Sequence, residues 1–371
     1  GLGTLDCLIL VSNLLKKNIL NQNYFRETSC IQQLVPLLEI NPSDTWLLTE
    51  HKTKVIVATL DILFYLVTGS NPSISINQTE IGKLNILNMV ITWALDRINS
   101  PIVRSKALFA LGALLHNHAQ NRMVFSQQVI RIARESTPQP TLHRLLTLAF
   151  HSSSFAEQVG SAYAFSQFLH ENSESQLAIV TTLTPPPDSS ESSQIADVHA
   201  GSNSIGRQLL KNLQDQSQPV SAYIASWILG SVLSDNIDCK QVALRIQLSL
   251  ESKGQTLLVL CMELLRKSQA RAQNQFALEV HIISIGIIRL LSVWMYQFPP
   301  LVVEFLRTPE NLPFLVDLIN QPTGNIHLQG MCALLVGFCF MFNENEESED
   351  ISSNRFALHG IICHRIGLDK F

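Results

Sequence analysis

The segment Ala107–Asn117 reads ALFALGALLHN, and it decides the fold class of the chain. Its apolar residues recur at intervals of three and four positions, which is the spacing of one face of an α-helix. Small residues such as Gly112 stand among the large ones and allow a neighbouring helix to approach closely. The segment ends on Asn117, and Asn tolerates the left-handed conformation that commonly ends a helix. The segment therefore predicts a buried helix that ends in a turn.

The same kind of segment occurs seven times, and six of the seven segments end in Asn. They are Leu8–Asn18, Asp61–Asn71, Ala107–Asn117, Ala162–Asn172, Ser226–Asn236, Ile288–Phe298 and Ala333–Asn343. Their last residues lie 45 to 64 positions apart, whereas HEAT and armadillo repeats are roughly 40–47 residues long. We therefore predict an all-α fold: a right-handed armadillo/HEAT-like α-solenoid of about seven repeats with loop insertions. Residues 1–371 would form a single repeat array.

The residues around these segments agree with a helical chain. After Asn117, the apolar pattern predicts a second amphipathic helix over Arg122–Arg134. Pro101, Pro219 and Pro299 stand at expected helix starts, where a missing N–H group costs little. Alternating strand patterns joined by tight hairpin turns are absent from the sequence.

Composition limits the class of protein further. A chain of 371 residues exceeds the roughly 250–300 residues at which a single core stops growing. Charged residues make up 15% of the chain, below the usual share of about 25%, so we expect helices that are buried on more than one face. The net charge of −4 gives no electrostatic footprint for nucleic acid. The first residue is Gly1 rather than Met, which indicates a fragment of a longer protein.

The longest uncharged apolar run is Met331–Phe342. It is shorter than the roughly 20 residues that a membrane-spanning helix requires, so we interpret it as a buried core helix. Cys332 and Cys339 lie seven positions apart on one face of this helix. The seven cysteines of the chain include no C-x-x-C pair. We therefore expect these two thiols to fill the core in reduced form rather than bind metal or form disulfides.

Two segments interrupt the helical pattern. Residues Thr181–Gly206 are rich in Pro, Ser and Gly, which predicts a long disordered surface loop; phosphorylation of its Ser-rich acidic part is the alternative. Residues Asn343–Asn354 read NENEESEDISSN and predict an acidic loop. That loop is either a solvated connection between helices or a binding site for a basic partner patch.

No residue pattern indicates catalysis, a cofactor or a metal site. Phosphate-binding glycine loops and the common hydrolase motifs are absent. His116 and His118 are expected to line a turn, and His281 to be a hydrogen-bonded core or interface residue. Arg289 is the only formal charge in Ile282–Met295. We expect it to reach a carboxylate or carbonyl group of a neighbouring repeat, with partner binding as the alternative. Partner-binding residues cannot be assigned from the sequence.

Several blocks of the sequence, in matching order, resemble the globular head of the Uso family of Golgi vesicle tethers, the general vesicular transport factors. The blocks are Asp6–Phe25, Gln208–Leu248, Ile285–Leu318, Gln329–Asn345 and His364–Phe371. Thr181–Gly206 and Asn343–Asn354 are the segments that depart from the family. The blocks are helical-repeat sequence without catalytic signatures, so it is their joint order that makes the resemblance specific.

The resemblance implies an armadillo-like head that forms a homodimer in the full-length protein and precedes a coiled coil and an acidic tail. It implies a non-enzymatic, cytoplasmic scaffold, peripheral on Golgi and transport-vesicle membranes, that docks endoplasmic-reticulum-derived vesicles. Its partners would be a Rab GTPase, golgins and SNARE proteins, with no nucleic acid and no cofactor. An armadillo adaptor of nuclear transport or signalling is the alternative. However, such adaptors carry ordered Trp residues, and Trp46, Trp93, Trp227 and Trp294 occupy different phases of their segments. An enzyme with a helical-repeat body is the third class.

Overall fold

The computed structural model describes residues 2–39, 48–95, 100–130, 138–184, 204–248, 255–272, 277–321, 325–344 and 354–367. Nearly all of the regular structure in these ranges is helical, which confirms the predicted all-α class. The described β-structure is limited to a two-residue antiparallel pair, β1 (Val129–Ile130) with β2 (Gln139–Pro140), and a single bridge between Gln247 and Thr256.

The helices follow a three-part repeat of a long helix, a short helix and a third helix. The long helices are α1 (Leu2–Leu15), α4 (Glu50–Leu66), α7 (Pro101–Leu115), α10 (Phe155–Leu169), α13 (Pro219–Leu233), α16 (Ala277–Met295) and α19 (Ile326–Met341). The short second helices are α2 (Ile19–Glu27), α5 (Ile74–Lys83), α8 (Ala119–Gln127), α11 (Ser173–Thr181), α14 (Ile237–Arg245) and α17 (Pro299–Arg307).

The third helices complete the repeats. They are α3 (Val35–Leu38, preceded by the 3₁₀ turn Cys30–Leu34), α6 (Ile86–Leu95), α9 (Thr141–His151), α12 (Ile205–Gln214), α15 (Leu257–Ala272) and α18 (Asn311–Asn320). After α19 the described chain resumes with α20 (Arg355–Ile361) and a π-helical turn, Ile362–Ile366. The third helix of each repeat accounts for much of the repeat length that was predicted to come from loop insertions.

The chain divides into two compact units, Gly1–Glu171 and Asn172–Phe371. In the first unit, α4 packs between α1 and α7, and α7 packs on α10. In the second unit, α16 packs between α13 and α19. The long helices thus pack side by side within each unit, while the single array over residues 1–371 stays a prediction.

Gly112 permits the close contact between α7 and α10, as the sequence predicts. A Cβ atom at this position would lie 2.6 Å from a ring carbon of Tyr163 and 3.1 Å from the Cα atom of Ala164. Distances this short would force the Tyr163 ring and the adjoining backbone of α10 to shift. The small residue is therefore a packing requirement of the repeat.

The predicted role of Asn in the turns is wrong for most of the repeats. Asn117 does adopt the left-handed conformation, with φ of 49°. In other repeats the residue before Asn takes that conformation, as Lys17 does with φ of 55°. Asn18 is then extended, and its side chain accepts a hydrogen bond from the Asn21 amide. The same N-cap occurs at Asn172 and Asn236. The reason is that an Asn side chain can accept a hydrogen bond from a free amide at a helix start, in addition to tolerating the left-handed conformation at a helix end.

A ladder of side chains links the repeats through the ends of the long helices. The last carbonyl groups of a helix have no intrahelical partner, and a polar side chain from the short helix of the preceding repeat donates to them. The donor–acceptor pairs are Gln22 to Tyr65 O (2.9 Å), Gln78 to His116 O (2.8 Å), Arg122 to His170 O (2.5 Å), Gln176 to Ser231 O (2.9 Å) and Lys240 to Tyr296 O (2.6 Å). The ladder therefore fixes the register between successive repeats within each unit.

One predicted helix ends earlier in the structure than the sequence indicates. The helix expected over Arg122–Arg134 stops at Gln127, and residues 129–130 are extended. It stops there because the Thr141 side chain donates to the Phe125 carbonyl group (2.7 Å) and the Thr141 amide donates to Gln128 O (3.3 Å). Residues 131–137 lie outside the described ranges.

The two interrupting segments are described only at their ends. Thr181 is the last residue of α11 and α12 begins at Ile205, so the helices enter the predicted loop from both sides. The Gly206 amide donates to the Thr182 hydroxyl group (3.0 Å), which holds the two ends together. The remainder of this loop, residues 185–203, and residues 345–353 of the acidic segment lie outside the described ranges.

His118 caps α8 in its neutral form. Its Nδ1 atom accepts a hydrogen bond from the Asn121 amide (3.2 Å), and Nε2 lies 3.1 Å from the Thr79 hydroxyl group. A nitrogen that accepts a hydrogen bond carries no proton, so the cap requires an uncharged imidazole. Burial, and then the charge of Arg122, lowers the pKa of His118. His116 and His118 line the turn after α7, as predicted, and burial also lowers the pKa of His116.

We expect the first unit to lose stability as the pH falls below the ordinary histidine pKa of about 6.5, because the unfolded state then binds protons before the folded state does. The variant His118→Asn should reduce this pH dependence, since Asn caps α2, α11 and α14 at the same position. Urea midpoints of the two proteins near neutral pH and about one unit below the histidine pKa measure the effect. An equally steep pH dependence in the variant would contradict the assignment of the titrating cap.

Candidate protein-interaction surface

One surface of the second unit is rich in aromatic side chains and contains an arginine. We call it the aromatic–arginine surface and define it by Tyr223 and Trp227 on α13, Arg289 and Tyr296 on or directly after α16, and Phe338 and Phe342 on or directly after α19. These three long helices lie side by side, with α16 in the middle. Their other sides carry buried residues such as Ile228, Leu290 and Leu335. The helices therefore build a core on one side and this surface on the other.

Arg289 lies at the contact between α13 and α16. Its Nη1 atom donates to the Tyr223 hydroxyl group at 3.3 Å, and its guanidinium carbon lies 5.3 Å from the ring centroid of Trp227. Gly286, one turn earlier, allows this approach, because a Cβ atom there would be 3.2 Å from the Cα atom of Tyr223. The guanidinium group is thus placed against aromatic rings.

The prediction for Arg289 is wrong about the chemical group that the side chain contacts. The side chain does reach a neighbouring repeat, but it contacts a hydroxyl group and an indole ring, where a carboxylate or carbonyl group was expected. The physical reason is that α13, the helix facing Arg289, contains no charged residue. Among the described side chains of α13, α16 and α19, Arg289 is the one Asp, Glu, Lys or Arg residue, and it forms no ion pair with a described residue.

The aromatic cluster beside Arg289 consists of Tyr296, Phe338 and Phe342. Their ring centroids are 5.7 to 5.8 Å apart, within the range in which aromatic pairs attract one another. Leu334 and Met341 of α19 are 49% and 59% exposed. The cluster and these two side chains give the surface a large apolar area next to a single positive charge.

The prediction that Met331–Phe342 forms a buried core helix is therefore correct for only one face of that helix. Cys332 and Cys339 are fully buried, as predicted, and burial raises the pKa of each thiol to about 12. The exposed Leu334 and Met341 contradict burial of the whole helix. A run of apolar residues on one helix does not distinguish a core helix from one that also presents an apolar surface.

His281 differs from the prediction in its hydrogen bonding. Its Nδ1 atom is buried and has no hydrogen-bond partner among the described residues, where a hydrogen-bonded side chain was expected.

The described ranges carry neither a metal site nor a membrane-spanning helix. These ranges contain no group of His, Cys, Asp and Glu side chains suited to holding a metal ion. None of their helices combines the length and apolar character needed to cross a bilayer.

The helical repeats define the class of an armadillo-like α-solenoid, in which each repeat packs on its neighbours. The family model described as the head region of Uso1/p115-like vesicle tethering proteins matches residues 133–371. The chain belongs to this family.

Relatives and solved structures agree with this assignment. The chain is 27% identical over 380 residues to general vesicular transport factor p115 of Homo sapiens, covering 100% of the chain and 37% of that protein. It is 26% identical to Golgin candidate 6 of Arabidopsis thaliana, covering 88% of the chain and 37% of that protein. The chain therefore spans little more than a third of the length of these relatives.

A crystal structure of Uso1 superposes on the chain with a TM-score of 0.73, at 16% identity. It covers 98% of this chain and 56% of that one. A second crystal structure of Uso1 gives a TM-score of 0.71. These matches confirm the predicted fold class.

Proposed function

We propose that this chain is a non-catalytic docking platform in the head of a vesicle tether that acts between the endoplasmic reticulum and the Golgi. It is supported by the family match over residues 133–371. In the full-length protein the head forms a homodimer, lies in the cytoplasm and associates peripherally with Golgi and transport-vesicle membranes. Its partners are a Rab GTPase, golgins and SNARE proteins.

The observation that carries the docking role is Arg289 against Trp227 on a half-buried surface without an acidic neighbour on the described parts of the surrounding helices. Trp, Tyr and Arg are the residue types most enriched among the side chains that dominate protein–protein binding energy. Apolar area flanks them at Tyr296, Phe338 and Phe342. The surface thus combines the anchors and the apolar surroundings that protein partners use.

The arrangement of the tryptophans speaks against the armadillo-adaptor alternative. Trp93 and Trp294 are buried, and each donates its indole N–H to a backbone carbonyl group in the core. Trp227 is half-buried at the surface, and Trp46 lies outside the described ranges. The described tryptophans therefore form no repeated row on one face, and the family match also favours the tether.

The proposal is tested by retention of purified Rab GTPases on the immobilised chain, each loaded with GTP or with GDP. We expect at least one Rab to be retained more strongly in its GTP form, because a tether must distinguish a membrane that carries GTP-bound Rab from one that carries GDP-bound Rab. Retention that is equal for the two nucleotides with every Rab tested would contradict the proposal. Beads that carry an unrelated helical-repeat protein control for nonspecific adsorption.

A further inference from the structure

We infer that the aromatic–arginine surface binds a protein segment that places one carboxylate on Arg289 and a large apolar side chain on the cluster of Tyr296, Phe338 and Phe342. This inference deepens the proposed function and rests on the surface being a docking platform. It specifies the chemistry of the partner segment.

The requirement for a carboxylate follows from the charge of Arg289. The guanidinium group has five N–H donors, and one hydrogen bond, to the Tyr223 hydroxyl group, engages a described residue. It is half-buried and forms no ion pair with an acidic residue in the described ranges. A carboxylate would supply both the missing charge and two acceptor oxygens in the fork geometry that arginine favours.

The requirement for an apolar residue follows from the spacing along α16. Arg289 and Tyr296 are seven positions apart, which is about two helical turns or roughly 10 Å on one side of the helix. Val293, between them, is also half-buried. A partner helix would meet both sites with an acidic and a large apolar residue about seven positions apart. An extended segment would need the two residues about two or four positions apart, because only alternate side chains of a strand share a face.

The surroundings favour a protein segment over a lipid headgroup. A lipid surface is normally attracted by a cluster of several basic residues, but Arg289 is the one such residue on the described parts of α13, α16 and α19. Aromatic rings next to a single arginine are instead typical of binding sites for protein side chains.

The test is selection from a phage-displayed library of random peptides of about 15 residues, long enough for roughly four helical turns. The whole chain is the target. We expect the selected peptides to share an Asp or Glu at the predicted spacing from a large apolar residue. A selected peptide should bind Arg289→Gln at least about tenfold more weakly. Arg289→Lys should recover only part of the affinity, since lysine lacks the planar fork.

Arg307→Gln is the matched control, because Arg307 lies on α17 of the same unit and its side chain is 70% exposed. It should bind the peptide like the unchanged protein. Replacing the peptide's acidic residue with its amide should weaken binding to the unchanged chain by a similar factor. That measurement keeps the test valid even if an Arg289 variant folds poorly. The same replacement should have little further effect on Arg289→Gln.

The inference is overturned if the selected peptides show no acidic preference, if none is enriched, or if Arg289→Gln binds them within about twofold of the unchanged chain. Binding to phosphatidylserine vesicles that depends on Arg289, in place of peptide binding, would also overturn it. Rab retention is measured separately. Peptide binding without nucleotide-dependent retention would therefore refute the tether role alone, and the reverse result would refute this inference alone.

Discussion

Replacing Glu157 with alanine is expected to lower the free energy of unfolding of the first unit by about 3–5 kcal/mol, because the substitution removes the acidic partner of a buried guanidinium group. The Glu157 carboxylate lies 2.7 Å from the Arg104 guanidinium group, and their side chains are 3% and 9% exposed. The Ser152 hydroxyl group also donates to this carboxylate. The pair joins α7 to α10, the two helices that Gly112 brings close together.

Urea unfolding of the chain, followed by circular dichroism, measures this loss. The exposed pair Glu50–Lys54 provides the control, and Glu50→Gln should leave the unfolding midpoint unchanged because exposed ion pairs contribute little. The double variant Arg104→Met, Glu157→Leu should recover much of the stability, since an apolar pair of similar volume removes both charges. A Glu157→Ala protein that unfolds at the original midpoint would show that the ion pair has no structural role.

Replacing Trp294 with alanine is expected to destabilise the second unit by about 3–5 kcal/mol, as large-to-small changes at buried tryptophans do. Trp294 is fully buried, and its indole N–H donates to the Lys240 carbonyl group at 3.1 Å. The Lys240 side chain in turn donates to Tyr296 O at 2.6 Å. Two hydrogen bonds of opposite direction therefore join α14 to the end of α16. The substitution therefore leaves a cavity and also removes the donor to a carbonyl group.

Two further variants separate these contributions. Trp294→Phe keeps most of the ring volume and should cost about 1–3 kcal/mol, chiefly because the Lys240 carbonyl group loses its donor. Trp227→Ala, at the half-buried surface, should cost less stability than Trp294→Ala. Thermal unfolding of the three proteins gives the comparison. Equal losses from Trp227→Ala and Trp294→Ala would contradict the assignment of Trp294 to the core and Trp227 to the surface.

The helical part of the fold could be predicted from the sequence because its determinants are local. The period of the apolar residues in Ala107–Asn117 and the glycine at position 112 are both visible in a single segment. The role of Asn18 was not predictable from residue type alone, because Asn both ends and begins helices. The choice depends on whether the preceding residue, Lys17, takes the left-handed conformation.

The sequence does contain an unused signal for the ladder between repeats. Gln22, Gln176 and Lys240 each lie four positions after a capping Asn, so aligning the repeats on that Asn would have placed a polar donor at one position. The partner of Arg289 has no such signal. Tyr223 is 66 positions away on another helix, and the contact depends on the packing of α13 against α16, which no local pattern determines.

The most direct test of the docking role compares Rab retention by Trp227→Ala, Phe155→Ala and the unchanged chain. Phe155 is 66% exposed in the first unit and controls for the loss of any surface aromatic residue. We predict that Trp227→Ala, while still folded by circular dichroism, retains the GTP-loaded Rab at least about tenfold more weakly, and that Phe155→Ala retains it normally. Full retention by Trp227→Ala would contradict the assignment of docking to this surface.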